Sequence, residues 1–354
     1  MDFTFTEEQK MIAGSCRELL ADICSASELR AAAEGAHDQA AVRWKRLAEI
    51  GLAGVLAPTA SGGMGLADID FVLIAEEVGR AVLPEALIEH AGIAVPLLAS
   101  FATDPRVAGW LARAASGEAR FAVGAACNPF VLGAASADAL LLSHEDEVHL
   151  VERQGVELTQ QTSIDPLRDL SRVTWTPSAA TCIAAGNAAR SAWACAADRG
   201  AVYTAAQCAG LAERMVEISV AYASERSQFG KRIGSYQALK HQLANVQVKL
   251  QFARAVIYSA VTRVTDLNNR AAIAVSSAKL AAGDAADLAA RTSLQVHGAM
   301  GYSWEVDLHF YMKRAWALMG AWGDRNFHAR RVQSLLLDGY IPLGPDQTFV
   351  RTGS

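Results

Sequence analysis

The residues best suited to chemistry in this sequence are one arginine and two groups of glycines. Arg226 stands in Tyr222-Ala223-Ser224-Glu225-Arg226-Ser227-Gln228-Phe229-Gly230-Lys231-Arg232-Ile233, followed by Gln237, where Gly230 and Gly234 mark a turn between two helical stretches. A second stretch, Gln295-Val296-His297-Gly298-Ala299-Met300-Gly301-Tyr302, breaks an alanine-rich helix with glycines. A guanidinium at one helix end, backed by backbone amides freed at another, makes an anion clamp of the kind that holds a diphosphate. The plainer reading is an arginine that caps one helix and glycines that end another. Residue types alone leave both open.

Other candidates read as structure. The cluster Ser61-Gly62-Gly63-Met64-Gly65 lacks the Lys-Ser/Thr of a P-loop and the strand-Gly-helix setting of a dinucleotide fingerprint, so a turn is expected there. His144 and His149 flank an acidic stretch at a spacing that matches no standard metal motif, and are expected at a polar turn between two short strands. The six cysteines (Cys16, Cys24, Cys127, Cys182, Cys195, Cys208) show no CxxC pairing and are expected to be reduced core thiols.

The elements that must position these residues fall into three blocks. In the first hundred residues, Thr6-Glu7-Glu8-Gln9 has the form of a capping box ahead of a helical face through Met11, Ile12, Cys16, Leu19, Leu20 and Ile23. A second helix passes through Trp44, Leu47 and Ile50 and stops at Gly51; another resumes over Phe71–Val78. From Phe121 to Ile183 the short apolar or β-branched runs 139–143, 148–151 and 173–176 predict a small, mainly β unit. In the last third, Leu239, Leu243, Val246, Leu250, Ala253, Ile257, Ala260 and Val264 recur at helical spacing, which predicts a buried seam on one long helix. Leu211, Met215, Ile218 and Tyr222 mark a helix before it, and the alanine-rich stretch 271–294 one behind it, so a four-helix bundle is expected.

Composition narrows the function classes. With 354 residues, 52% hydrophobic and 19% charged, the chain can bury a sizeable core and divide into two or three domains. A net charge of −5 argues against a polyanion-binding surface, so no nucleic-acid partner is expected. No apolar run reaches bilayer-spanning length, and the opening Met1–Phe5 shows no signal segment. A cytoplasmic protein without a membrane partner is the expectation.

The ordered pairing of the two glycine-bearing motifs resembles the flavin motifs of the acyl-CoA dehydrogenase family. The N-terminal run Trp44 to Gly65 is similar to that family's opening helices and loop, so the resemblance covers nearly the whole chain. It implies an α+β, mostly α fold: an N-terminal helical domain over 1–118, a shortened middle β-domain over 119–184, a C-terminal four-helix bundle over 185–340 and a tail over 341–354. It also implies FAD, an acyl-CoA substrate, assembly as a tetramer, and electron-transfer flavoprotein or a similar acceptor. In such enzymes one subunit holds the isoalloxazine ring and the neighbour's bundle reaches over to hold the rest of FAD. Carried over by position, the reach-over contacts fall on Arg226, Gln228, Phe229, Gln237, Gln295, Val296, His297, Gly298 and Ala299. Ala299 replaces the second of two glycines usual there.

The departures from the family pattern bear on activity. The reaction needs a carboxylate to take the α-proton of the thioester while hydride leaves the β-carbon for flavin. The family's usual Glu-Gly falls on Trp322-Gly323, and its minority position, on an earlier helix, falls on Gly200. Neither residue can accept a proton. Asp198 and Asp324 lie two residues from those positions, where helical geometry turns a side chain elsewhere. The segment Ala125–Gly133 also lacks the hydroxyls and acid that frame the flavin ring.

That pattern is similar to one subunit of the α2β2 heterotetrameric acyl-CoA dehydrogenases of steroid side-chain degradation. It implies a partner subunit that carries the catalytic Glu, and bulky polycyclic CoA thioesters as substrates. Two other readings stand beside it: a self-sufficient homomeric dehydrogenase with a displaced base such as Asp198 or Asp324, and a scaffold protein that kept the fold without flavin chemistry.

Overall fold

A computed structural model describes residues 4–36, 39–338, Ile341 and Gly344. Most of the tail expected over 341–354 therefore lies outside the described residues.

The first block is helical: α1 (Glu7–Ile23), α2 (Ala26–Ala33), α3 (Ala40–Glu49), α4 (Asp68–Ala81), a π-helical segment Ile88–Ala94 running into α5 (Val95–Ala99), and α6 (Pro105–Ala115). The Thr6–Gln9 capping box forms: Thr6 Oγ accepts from the Gln9 amide at 3.2 Å, and Gln9 Oε1 accepts from the Thr6 amide at 2.9 Å. Helix α3 ends one residue earlier than the apolar pattern predicts. Ile50 caps it and stays 42% exposed, because Gly51 turns the chain away at φ +80°.

The second block carries two small sheets. Strands β1 (Phe121–Gly124), β3 (Ala139–His144), β4 (Glu147–Glu152) and β7 (Cys182–Ala185) lie in the order β1-β3-β4-β7, with β1 parallel to β3 and the other pairs antiparallel. Strands β2 (Val131–Leu132), β5 (Glu157–Gln161) and β6 (Leu170–Thr174) form the other sheet, in the order β2-β6-β5. The expected strand over 173–176 contributes only Val173 and Thr174. His144 and His149 lie on β3 and β4 rather than at the turn between them.

The third block is the bundle: α7 (Gly186–Glu225), the hairpin β8 (Ser227–Gln228) and β9 (Lys231–Arg232), α8 (Gln237–Val261), α9 (Asn269–His297), α10 (Leu308–Met319) and α11 (Arg325–Leu337). At 40 residues, α7 is about 60 Å long. From Gly200 to Ala212 it is buried all round, since α4, α9 and α10 pack against it. Close approach to α4 needs glycine: a Cβ on Gly210 would sit 1.9 Å from the Glu76 carbonyl oxygen.

The seam on α8 is buried from Val246 to Ala260, and Val264 beyond the helix is buried too, but Leu239 and Leu243 are only half-buried. Among the described residues nothing covers the first turns of α8 fully, and Val248 and Phe252 on its other side are 56% and 73% exposed. All six cysteines are unpaired, yet only Cys16 and Cys208 are buried; the other four are partly exposed, so core thiols describes two of them. Among the described residues no helix is long and apolar enough to cross a membrane.

Candidate functional site

Helix α7 ends at Glu225, and Arg226 caps it with its amide on the Tyr222 carbonyl at 2.9 Å. The chain then folds back as the β8–β9 hairpin, whose central residues Phe229 and Gly230 both have positive φ (+54° and +79°). That is the conformation a two-residue primed turn demands. It costs Phe229 strain and holds its ring in the open, 91% exposed. Arg226, Gln228 and Gln237 are exposed as well, and among the described residues no carboxylate pairs with the Arg226 guanidinium.

The second motif ends α9. Gly298 adopts φ +59° and ψ −136°, open only to glycine, and starts a 3-10 turn to Tyr302. Gln295, Gly298 and Ala299 face outward, whereas the side chains of Val296 and His297 turn inward. The His297 ring stacks on Tyr222 with centroids 4.3 Å apart, which fastens the second motif to the first. Its Nδ1–H donates to the Ser293 carbonyl at 2.8 Å, while Nε2 is buried without a partner. Burial lowers its pKa, which keeps the ring neutral. An unpaired cation, an exposed ring, a glycine-only backbone and an orphaned acceptor fit one edge of a large anionic aromatic cofactor. Segment 125–133, by contrast, offers no hydroxyl or carboxylate: its polar side chains are the Cys127 thiol and the Asn128 carboxamide, whose Oδ1 accepts from the Trp322 amide at 3.2 Å.

Trp322 sits in the turn between α10 and α11, with φ +56° followed by Gly323 at +99°. Three groups pin that turn. Lys279 donates to the Leu318 and Met319 carbonyls at 2.8 and 3.3 Å, His328 Nε2–H donates to the Trp322 carbonyl at 3.0 Å, and Asn128 holds its amide. Burial pushes Lys279 down to about 8. The Trp322 indole is 1% exposed and packs against Gly200, where a Cβ would come within 2.2 Å of the ring. The two positions at which the resemblance puts the family's base are therefore in contact with one another.

Asp198 and Asp324 are both engaged. Asp198 forms a two-pronged ion pair with Arg331, the longer contact being 3.1 Å, and ties α7 to α11. Asp324 caps α11 by accepting from the Phe327 amide at 2.7 Å. A third acid carries no sequence signal beyond its place in an apolar run. Glu89, on the π-helical segment, is 6% exposed beside Trp322 and Arg168. Burial raises its pKa, opposed first by Arg168, then by its own backbone amide and Arg314. A π-helical segment and a perturbed carboxyl are both common marks of a functional site. Its neighbour Trp322 Nε1 lacks a partner in good geometry.

Residues 6–118 match the family model for the acyl-CoA dehydrogenase N-terminal domain, and 191–337 the model for its C-terminal domain. The chain belongs to the acyl-CoA dehydrogenase family. It is 31% identical, over 87% of its length and 91% of the relative's, to acyl-CoA dehydrogenase IpdE2 of Mycobacterium tuberculosis. Its fold superposes on a chain of the ChsE4-ChsE5 complex of the same organism with TM-score 0.84, at 24% identity, covering 97% of this chain and 100% of that one. A chain of the Tcur3481-Tcur3483 steroid acyl-CoA dehydrogenase superposes with TM-score 0.82 at 24% identity, covering 94% and 99%. FAD is the cofactor of this family, and the mostly helical α+β architecture is the family's own.

Proposed function

We propose that this chain is one subunit of a heteromeric, FAD-dependent acyl-CoA dehydrogenase, and that it completes a partner's flavin site without supplying a catalytic base. The observation that carries the reading is the contact between Trp322 and Gly200. One indole fills the space at both positions where the resemblance puts the family's Glu, the two nearby aspartates are committed to Arg331 and to the α11 N-terminus, and Glu89 is buried beside that ring and Arg168, at 6% exposed, away from solvent and substrate. FAD, once held there, would supply the hydride acceptor for the bond broken at the substrate's β-carbon. This chain's share is to bind and orient: Arg226 neutralises the diphosphate, the Phe229 and His297–Ala299 turns fix the cofactor's edge, and Tyr222 holds the second turn in place. Family relatives of like fold include the ChsE4-ChsE5 and Tcur3481-Tcur3483 complexes, the latter a steroid acyl-CoA dehydrogenase, and on that ground we assign a steroid-derived acyl-CoA as the substrate class and electron-transfer flavoprotein or a similar protein as the acceptor.

The test is purification of the chain alone and together with a family member that retains its Glu, followed by flavin absorbance and acyl-CoA-dependent dye reduction. Flavin and turnover are expected only with the partner. The single variant Trp322→Glu, without partner, is expected to stay inactive, because segment 125–133 still offers no ring pocket. Turnover by the isolated chain or by that variant would refute the reading.

A further inference from the structure

The middle β-domain holds a side-chain cluster that the flavin chemistry does not use. Strand β4 places Glu147 and His149 two residues apart, hence on one face. Opposite them on β7, the register runs Val148 to Ala184 and then His149 to Cys182. Ile183 is thus an extra residue, a bulge that brings Cys182 alongside the imidazole. The ligand atoms of Glu147, His149 and Cys182 all lie within 4.8 Å of one another. His149 is fully buried, capped by Trp175 at 4.8 Å between centroids. Its Nε2 is 2.8 Å from Glu147 Oε2 and its Nδ1 is 3.0 Å from Thr181 Oγ1.

We propose that Glu147, His149 and Cys182 bind a divalent transition metal of the zinc type. Carboxylate, imidazole and thiolate are a donor set that suits such an ion and not a hard cation like magnesium. Thr181 supplies the orienting contact that a ligating histidine needs. With Thr181 Oγ–H turned to the Ser178 carbonyl at 3.0 Å, Nδ1–H donates to the Thr181 oxygen and the Nε2 lone pair is free for the metal. Binding releases the thiol proton of Cys182 to solvent; the imidazole keeps its one hydrogen on Nδ1, so Nε2 faces the ion without one. Tetrahedral bonds of about 2.0–2.3 Å put ligand atoms roughly 3.5 Å apart. Glu147, with its side chain 39% exposed, has the freedom to open its 2.8 Å contact with Nε2 to that separation and admit the ion. The fourth position belongs to water at the rim beside the exposed His144, whose ring is 6.2 Å from that of His149.

The probe is Co2+ added to the chelator-stripped full chain. The expected result is uptake of one equivalent with tetrahedral d–d bands and a thiolate-to-cobalt charge-transfer band, and displacement by one equivalent of Zn2+. Cys182→Ser is expected to erase the charge-transfer band. Thr181→Val should weaken affinity about ten- to a hundredfold, as loss of an outer-shell partner does, and His149→Gln by more. Circular dichroism checks each variant's fold; should His149→Gln misfold, the other two variants decide. No uptake, or a spectrum that survives Cys182→Ser and an affinity that survives Thr181→Val, overturns the proposal.

Discussion

Replacing Gly200 by alanine separates two opposed effects. In a helix interior, Gly→Ala normally stabilises by about 0.5–1 kcal/mol, and Gly200 lies well inside α7. Here the added methyl carbon would meet three atoms of the Trp322 indole at 2.2, 2.5 and 2.6 Å. Ordinary carbon contacts begin near 3.5 Å, so the ring must retreat by about 1 Å. It has little freedom to do so, because the indole is 1% exposed and the Trp322 backbone is held on both sides by Asn128 and His328. Overpacking of this kind costs about 1–3 kcal/mol. The net expectation is destabilisation of about 1–2 kcal/mol, opposite in sign to helix propensity. Trp322→Ala alone should cost about 3–5 kcal/mol as a large buried side chain is lost. In the Trp322→Ala background the clash is gone, so Gly200→Ala should turn neutral or stabilising, a coupling of about 1–3 kcal/mol. Urea denaturation of the four proteins measures the cycle. A Gly200→Ala effect of the same sign and size in both backgrounds would refute the contact.

Three further predictions follow from the geometry. Arg226→Ala should weaken FAD retention by the reconstituted complex by about one to two powers of ten, as loss of a charge-assisted contact worth about 1.5–3 kcal/mol implies, while leaving thermal stability unchanged; equal flavin affinity would contradict the shared site. Leu250→Ala should cost about 2–5 kcal/mol and Leu243→Ala much less in the isolated chain, since Leu250 is 0% exposed and Leu243 half-buried; similar losses in urea titrations would refute that contrast. His90 and His328 are both pushed down to about 4, burial being the leading cause, and each keeps its ring N–H on a carbonyl oxygen. The unfolded chain takes up these protons near the ordinary histidine value of about 6.5, so stability is complete above that pH and falls as pH drops toward 4, by at most about 3 kcal/mol per ring. The buried Glu76, Glu85 and Glu89, raised by burial, act in the opposite sense, so the test is a difference: a stability profile from pH 7 to 4.5 that is identical in the wild type and in the double variant His90→Gln, His328→Gln would contradict it.

What could be read in the sequence was mostly local. The capping box at Thr6, the helix over Phe71–Val78 and the alanine-rich α9 are encoded by neighbours three or four residues apart, and each forms. Helical spacing says which residues share a face but not what covers it, so Leu239 and Leu243 fit the seam yet stay half-open. The two glycine-bearing motifs are recognisable by their order; their fastening through Tyr222 and His297 is a tertiary fact with no sequence trace. The same holds for Trp322 and Gly200, and for His149, whose spacing from His144 hides that its neighbours are Glu147 and a cysteine on another strand. Glu89 was illegible for the opposite reason: a single acid in an apolar run looks like a surface residue until the fold buries it.

The packing of Trp322 on Gly200 also has an evolutionary side. A mutation that placed a glutamate at position 200 would collide with the indole, and one that placed it at position 322 would leave a void and a carboxylate beside the buried Glu89. Each single step is penalised unless the other site changes with it. The contact therefore works as a ratchet: with the large ring and the bare backbone settled against each other, change at either position alone is held back by its neighbour.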